Sequence, residues 1–237
     1  YNLDKNRTSN LRLNPISGST VEFWLKIDAL PNRGRGTGND ADANGQTDRM
    51  SLFDLWNGVT GSSNAYGRFE IYINNDGTGS NAAFGIHAIS GPVGTAAGVE
   101  DSFIGFNSVS ASAGEGLFSS YTQDNLTDGK WHHYAFVLKN SGSDLTSQLF
   151  VDGQKEQTIT KTSEALNEIE GAMLACIGAN VAYPDFIADP GTAASANGRG
   201  LSKLSGSMDE FRYWKTKRSE KEIGRYWFTQ VHGGTNT

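Results

Sequence analysis

Apolar residues recur along this chain in short runs, separated by clusters of Gly, Asn, Asp and Ser. In "VEFWLKI", Val21, Phe23, Leu25 and Ile27 alternate with Glu22, Trp24 and Lys26, so the two sets take opposite faces of a strand. The same reading gives eleven strand segments: 10–14, 20–28, 50–56, 68–74, 82–89, 116–122, 130–139, 147–152, 156–161, 172–178 and 207–215. Asp76-Gly77 and Asp152-Gly153 are residue pairs that accept the positive φ of tight primed turns, so the runs beside them are expected to pair as antiparallel hairpins. One segment breaks the pattern. "SEKEIGRYWF" joins good helix formers to a Ser219…Glu222 capping box, with Ile223 and Tyr226 or Trp227 at helical spacing, and predicts a short C-terminal helix packed on the strands. The expected fold is an all-β sandwich of antiparallel sheets.

Segments 31–49, 91–115 and 181–204 are too polar and too rich in small residues for a core, and loops of that length are functional or disordered. The 237 residues, with 29 glycines and only 19% charged residues, suit one large sandwich domain over 1–237 better than a helical bundle. Because it begins without Met, the chain reads as a piece of a longer protein. A formal net charge of −6 provides no basic field for nucleic acid or anionic lipid. No apolar run approaches the ~20 residues of a membrane helix, so neither nucleic acid nor membrane insertion is expected. The single cysteine, Cys176, excludes an internal disulfide and a cysteine-based zinc site, and in "AMLACIG" it reads as a buried, inert thiol.

Three segments in order, "STVEFWLKI", "DGKWHHYAFVL…QLFVDGQ" and "GSMDEFRYWKTKRSEKEI", resemble the laminin G-like modules of the concanavalin A-like lectin/glucanase superfamily over about residues 19–228. The resemblance implies a jelly roll of two curved antiparallel sheets, with ligand sites in rim loops or on the concave face. The insertion around 91–115 departs from compact members. The ending "DEFRYWKTKRSEKEIGRYWFTQVHGGTNT" also resembles modules of bacterial-virus structural and fibre proteins, which implies an extracellular or virion-surface location. In some relatives the aspartate at the position of Asp209 helps hold a structural calcium with backbone carbonyls; otherwise Asp209 accepts from backbone amides or pairs with Arg212.

The sharpest local motif is "NDADANGQTD" at 39–48. Asp40, Asp42 and Asn44 lie two apart, Gly45 follows at the sixth position, Gln46 offers a carbonyl and Asp48 falls at the ninth, so alternate oxygens converge on a hard cation. Calcium is the expected cofactor. The twelfth position is Ser51 rather than Glu, so the loop is no EF-hand, and the alternative is a solvated acidic tip.

Sugar binding asks for an exposed aromatic plane beside hydrogen-bonding groups. Trp56 with Asp54 and Asn57, Tyr66 with Asn64 and Arg68, and Tyr183 with Asp185 are the groupings in or beside loops. Trp24, Trp131, Trp214 and Trp227 lie within strands or on the helix and are assigned to the core. The basic stretch Lys215, Lys217, Arg218, Lys221 and Arg225 reads as a solvated helix face. His132 and His133 must point to opposite faces, one hydrogen-bonded in the core and the other toward solvent or the concave surface.

Glycoside hydrolases of the resembled superfamily place carboxylates in an E-x-D-x-E strand, which this chain lacks; Glu168 and Glu170 come nearest and read as a polar turn. Neither a G-x-S-x-G elbow nor an H-E-x-x-H helix is present. The leading expectation is a non-catalytic recognition or adhesion module that binds a glycan or cell-surface polysaccharide with calcium. A structural decoration or spacer module touching neighbouring chains is the alternative, and a glycoside hydrolase the third.

Overall fold

A strand must pair its backbone amides and carbonyls laterally while turning one face from water, so the alternating segments assemble into sheets. The computed structural model describes residues 11–31, 49–57, 67–75, 79–90, 117–169, 173–179 and 203–230. Among the described residues the strands are β1 (Ser19–Lys26), β2 (Arg49–Trp56), β3 (Gly67–Asn74), β4 (Phe84–Ser90), β5 (His132–Ser141), β6 (Asp144–Val151), β7 (Gln154–Lys161), β8 (Leu174–Ile177) and β9 (Ser207–Trp214). Two short helices, α1 (Gln123–Leu126) and α2 (Glu220–Tyr226), complete the elements.

The strands form two antiparallel sheets, ordered β7-β6-β5-β1-β9 and β4-β3-β2-β8. Sequential hairpins supply β2-β3-β4 and β5-β6-β7, whereas β1, β8 and β9 enter by long crossovers. This is the jelly-roll sandwich expected. Phe84 of the four-stranded sheet meets Phe136 of the five-stranded sheet edge-on at 5.3 Å, and Phe23 stacks on Phe136 and Phe211 at 5.9 and 6.2 Å. Such aromatic pairs add roughly 0.5–1.5 kcal/mol each beyond their burial.

Local signals are realised where both partners lie close in sequence. Asp152 and Gly153 turn β6 into β7 with φ of 47° and 76°. The glycine is needed twice over, because a Cβ there would lie 2.2 Å from the Trp227 ring. Ser219 caps α2 in a reciprocal box with Glu222, and Ile223, the helix's buried residue, inserts among Ala135, Val137 and Phe150 on the outer face of the five-stranded sheet. The pair Asp76-Gly77 lies outside the described residues.

Two segments read as strands are not. Leu13 makes only a bridge to Ile169, because Pro15 follows and has no amide to extend the ladder. Leu117 and Thr122 bridge Gly85 and Ala82, but the chain turns between them and Thr122 caps α1. The tryptophan assignment also needs correction. Trp24 lies on the outer face against Trp227 at 5.6 Å, Trp131 is 45% exposed, and Trp214 is 39% exposed beneath the Arg218 guanidinium at 4.7 Å. Cys176 is half-buried on β8, an edge strand, rather than fully buried; burial and the nearby Asp54 push its thiol up, which keeps it unreactive. No helix among the described residues is long and apolar enough to cross a membrane.

Candidate functional site

Period two decides which side chains leave the core. In β3, Phe69, Ile71 and Ile73 enter it, so Arg68, Glu70, Tyr72 and Asn74 take the outer face of the four-stranded sheet. Asp54 and Trp56 of β2 and His87 of β4 share that face, because Phe53, Leu55, Phe84, Ile86 and Ala88 face inward. Register then aligns Cys176, Asp54, Glu70 and His87 in one row across four strands, and Leu174, Trp56, Arg68 and Ile89 in the next.

Arg68 grips Asp54 in a bidentate pair, Nε to Oδ1 at 2.8 Å and Nη2 to Oδ2 at 2.6 Å. The pair is buried, with side-chain exposures of 1% and 0%. His87 Nδ1 lies 3.4 Å from Glu70 Oε2, and its ring meets Tyr72 at 4.9 Å. Gly85 makes room for this arrangement, since a Cβ would fall 2.2 Å from the Tyr72 ring. Buried charges persist only when paired, so the face is a rigid polar platform rather than a solvated one.

This corrects the grouping expected from sequence. Asp54 and Arg68, assigned to different aromatics as sugar-bonding groups, are bound to each other and buried, because adjacent strands place them one diagonal apart. Trp56 stands partly exposed on the same face. Asn57 is buried, and its Oδ1 accepts from the Gly67 amide at 3.2 Å, which ties the ends of β2 and β3. Glu70, Tyr72 and His87 were missed, although the alternation in "RFEIYIN" carried the signal for the first two.

Tyr66, Tyr183 and Asp185, and the cation-loop residues Asp40, Asp42, Asn44, Gln46 and Asp48, lie outside the described residues. Asp209 is exposed, and its Oδ1 accepts from the Glu210 amide at 2.7 Å. Arg212 pairs with Glu210 at 3.2 Å instead. Among the described residues, no three His, Cys, Asp or Glu side chains converge as a metal site.

The two neighbouring histidines differ from expectation. His132, at the sandwich rim, is the hydrogen-bonded one, with Nδ1 2.7 Å from Asp152 and Nε2 3.2 Å from Asp128. Burial lowers its pKa, but the two carboxylates more than offset this and hold it above the ordinary value. Asp128 is held down to about 2 by the Lys130 amide and His132. His133 lies 1% exposed on the outer face under Trp24 and Trp227, with neither ring nitrogen hydrogen-bonded. Burial and the Arg212 charge push it down to about 4.

A family model described as the concanavalin A-like lectin/glucanases superfamily matches residues 71–224. Among solved structures, the chain is similar to a native heptameric SAP-like pentraxin from Limulus polyphemus, at 11% identity over 91% of this chain and 72% of that one, with a TM-score of 0.44. It is also similar to the CBM40 of Ruminococcus gnavus IT-sialidase bound to alpha2,3 sialyllactose, at 13% identity over 89% of this chain and 83% of that one, with a TM-score of 0.41. No curated protein matches the chain.

Proposed function

Because the chain belongs to the concanavalin A-like lectin/glucanase superfamily, we propose that it is a non-catalytic carbohydrate-recognition module, assisted by calcium, on an extracellular or virion-surface protein. The observation that carries this reading is Trp56, partly exposed beside the buried Asp54–Arg68 clamp on the outer face of the four-stranded sheet. In this reading the Trp56 side chain packs against the apolar face of a pyranose, and the clamp beside it gives that contact a stiff base. Tyr66, two residues before Arg68, and Tyr183 with Asp185 supply further contacts in this reading. In this reading calcium would be held by Asp40, Asp42, Asn44, Gln46 and Asp48, with Asp209 as a separate second ligand site. Both carboxylate oxygens of Asp54 are engaged by Arg68, which supports binding without hydrolysis.

A glycan array tests the reading. Binding of neutral glycans is expected to disappear with a calcium chelator and in Trp56→Ala, while the β-sheet circular dichroism persists. An array silent for the wild type, or release of reducing sugar from a bound glycan, overturns it. The second reading, a structural module contacting neighbouring chains, draws on the exposed apolar residues Ile16 and Phe228 at 69% and 61%. Its signature is a silent array with concentration-dependent self-association in sedimentation.

A further inference from the structure

The outer face of the five-stranded sheet carries a groove of about 350 Å³ lined by Val137, Lys139, Ser141, Thr146, Gln148 and Lys217, among others. Its size lies at the low end of small-ligand pockets. Register builds one wall: Gln148 stands opposite Val137 and Thr146 opposite Lys139 across β5 and β6. The other wall is brought in by the connection from β9 to α2. There the Lys217 amide donates to the Ser17 carbonyl at 2.9 Å. Gly18, at φ 79°, is squeezed between the Leu138 carbonyl and the Lys217 Cβ, each 2.9 Å from where its own Cβ would stand. A segment close to the C-terminal helix is thereby held against the end of β5, with its lysine beside Lys139.

The chain has a formal net charge of −6, and Lys26, Lys130 and Lys155 each lie 2.9–3.3 Å from a carboxylate. Among the described residues, Lys139 and Lys217 have no carboxylate partner, and the groove lining contains no Asp or Glu. Lys215 and Lys221 also lack a carboxylate partner among the described residues, but Lys139 and Lys217 are the two that line one groove. The nearby Asp144 accepts from the Ser143 hydroxyl and the Ser163 amide instead. Two ammonium groups therefore face one concavity with hydroxyls from Ser141 and Thr146. Gln148 donates through Nε2 to Thr158 at 3.3 Å and keeps its carbonyl oxygen as an acceptor. The aliphatic stems of the lysines provide apolar flanks.

We propose that this groove is a binding site for an acidic saccharide, its carboxylate or sulfate held by Lys139 and Lys217 and its hydroxyls by Ser141, Thr146 and Gln148. The site lies on the opposite sheet from Trp56 and stands independently of the function proposed above. The test is fluorescence anisotropy of the intact chain with labelled sulfated, uronate-bearing and neutral hexasaccharides. Acidic probes bind and weaken with rising salt, whereas the neutral probe does not bind. Lys139→Gln and Lys217→Gln each lower affinity several-fold and the double variant about tenfold, whereas Lys155→Gln does not. Trp56→Ala keeps acidic-probe binding even if it abolishes the array signal, so failure of one site is distinguishable from failure of the other. Absence of acidic-probe binding, or binding undiminished in the double variant, overturns the proposal. Equal affinity for inorganic sulfate alone reduces the groove to an anion trap and overturns the saccharide assignment.

Discussion

Glu22 and Arg218, 196 residues apart, meet in a buried ion pair in which the guanidinium Nη1 lies 2.6 and 2.8 Å from the two carboxylate oxygens. The glutamate side chain is fully buried, and Arg212 reaches it only at 3.9 Å. The pair ties β1 to the residues that lead into α2. Removing one partner strands a buried charge, so Arg218→Met is expected to cost about 3–5 kcal/mol in urea unfolding. The double substitution Glu22→Leu with Arg218→Met recovers most of that loss. Additive losses would show that the pair contributes packing rather than charge compensation.

His133 is buried neutral, so protonation opposes folding. Its folded pKa of about 4 lies below the ordinary 6.5, so folding stability is at its full value above pH 6.5 and falls as the pH drops toward 4. The difference amounts to roughly 3 kcal/mol. His133→Leu is expected to flatten this part of the stability profile. It should also be about 1–2 kcal/mol more stable at pH 7, because two unpaired ring nitrogens are removed.

His132 responds with the opposite sign. Held above 6.5 by Asp152 and Asp128, it contributes stability that is full below pH 6.5 and lost as pH rises through the folded value. NMR titration of the imidazole protons should place His132 above 6.5 and His133 well below it. Coincident midpoints would remove both assignments.

Phe23 stands at the centre of the aromatic core, touching Tyr134, Phe136 and Phe211. Phe23→Ala leaves a cavity between sheets that cannot collapse without moving both, and is expected to cost about 3–5 kcal/mol. Thermal unfolding followed by circular dichroism measures it.

The alternation of "VEFWLKI" placed Phe23 and Trp24 on opposite faces, and the structure keeps them there, one in the core and one outside. Asp152-Gly153 and the Ser219–Glu222 box were likewise legible, because both act through backbone within a few residues. The cation motif at 39–48 rests on spacing alone, and its residues lie outside the described ones. The assignment of Trp24 to the core contradicted the very alternation that set its face.

Which faces are covered, and by what, was decided only in three dimensions. Asp54 and Arg68 look like separate surface groups until β2 and β3 pair and place them one diagonal apart. Glu22 reads as a solvent-facing residue until a segment nearly two hundred residues later brings Arg218 onto it. His133 became the buried histidine because α2 and Trp227 close over the outer side of β5, the side that strand alternation alone leaves open to water. Alternation is a local steric property of each strand, so it travels with the sequence. Cover, ion pairing and desolvation depend on which distant strands become neighbours, and that is settled by the register and crossovers of the assembled sandwich.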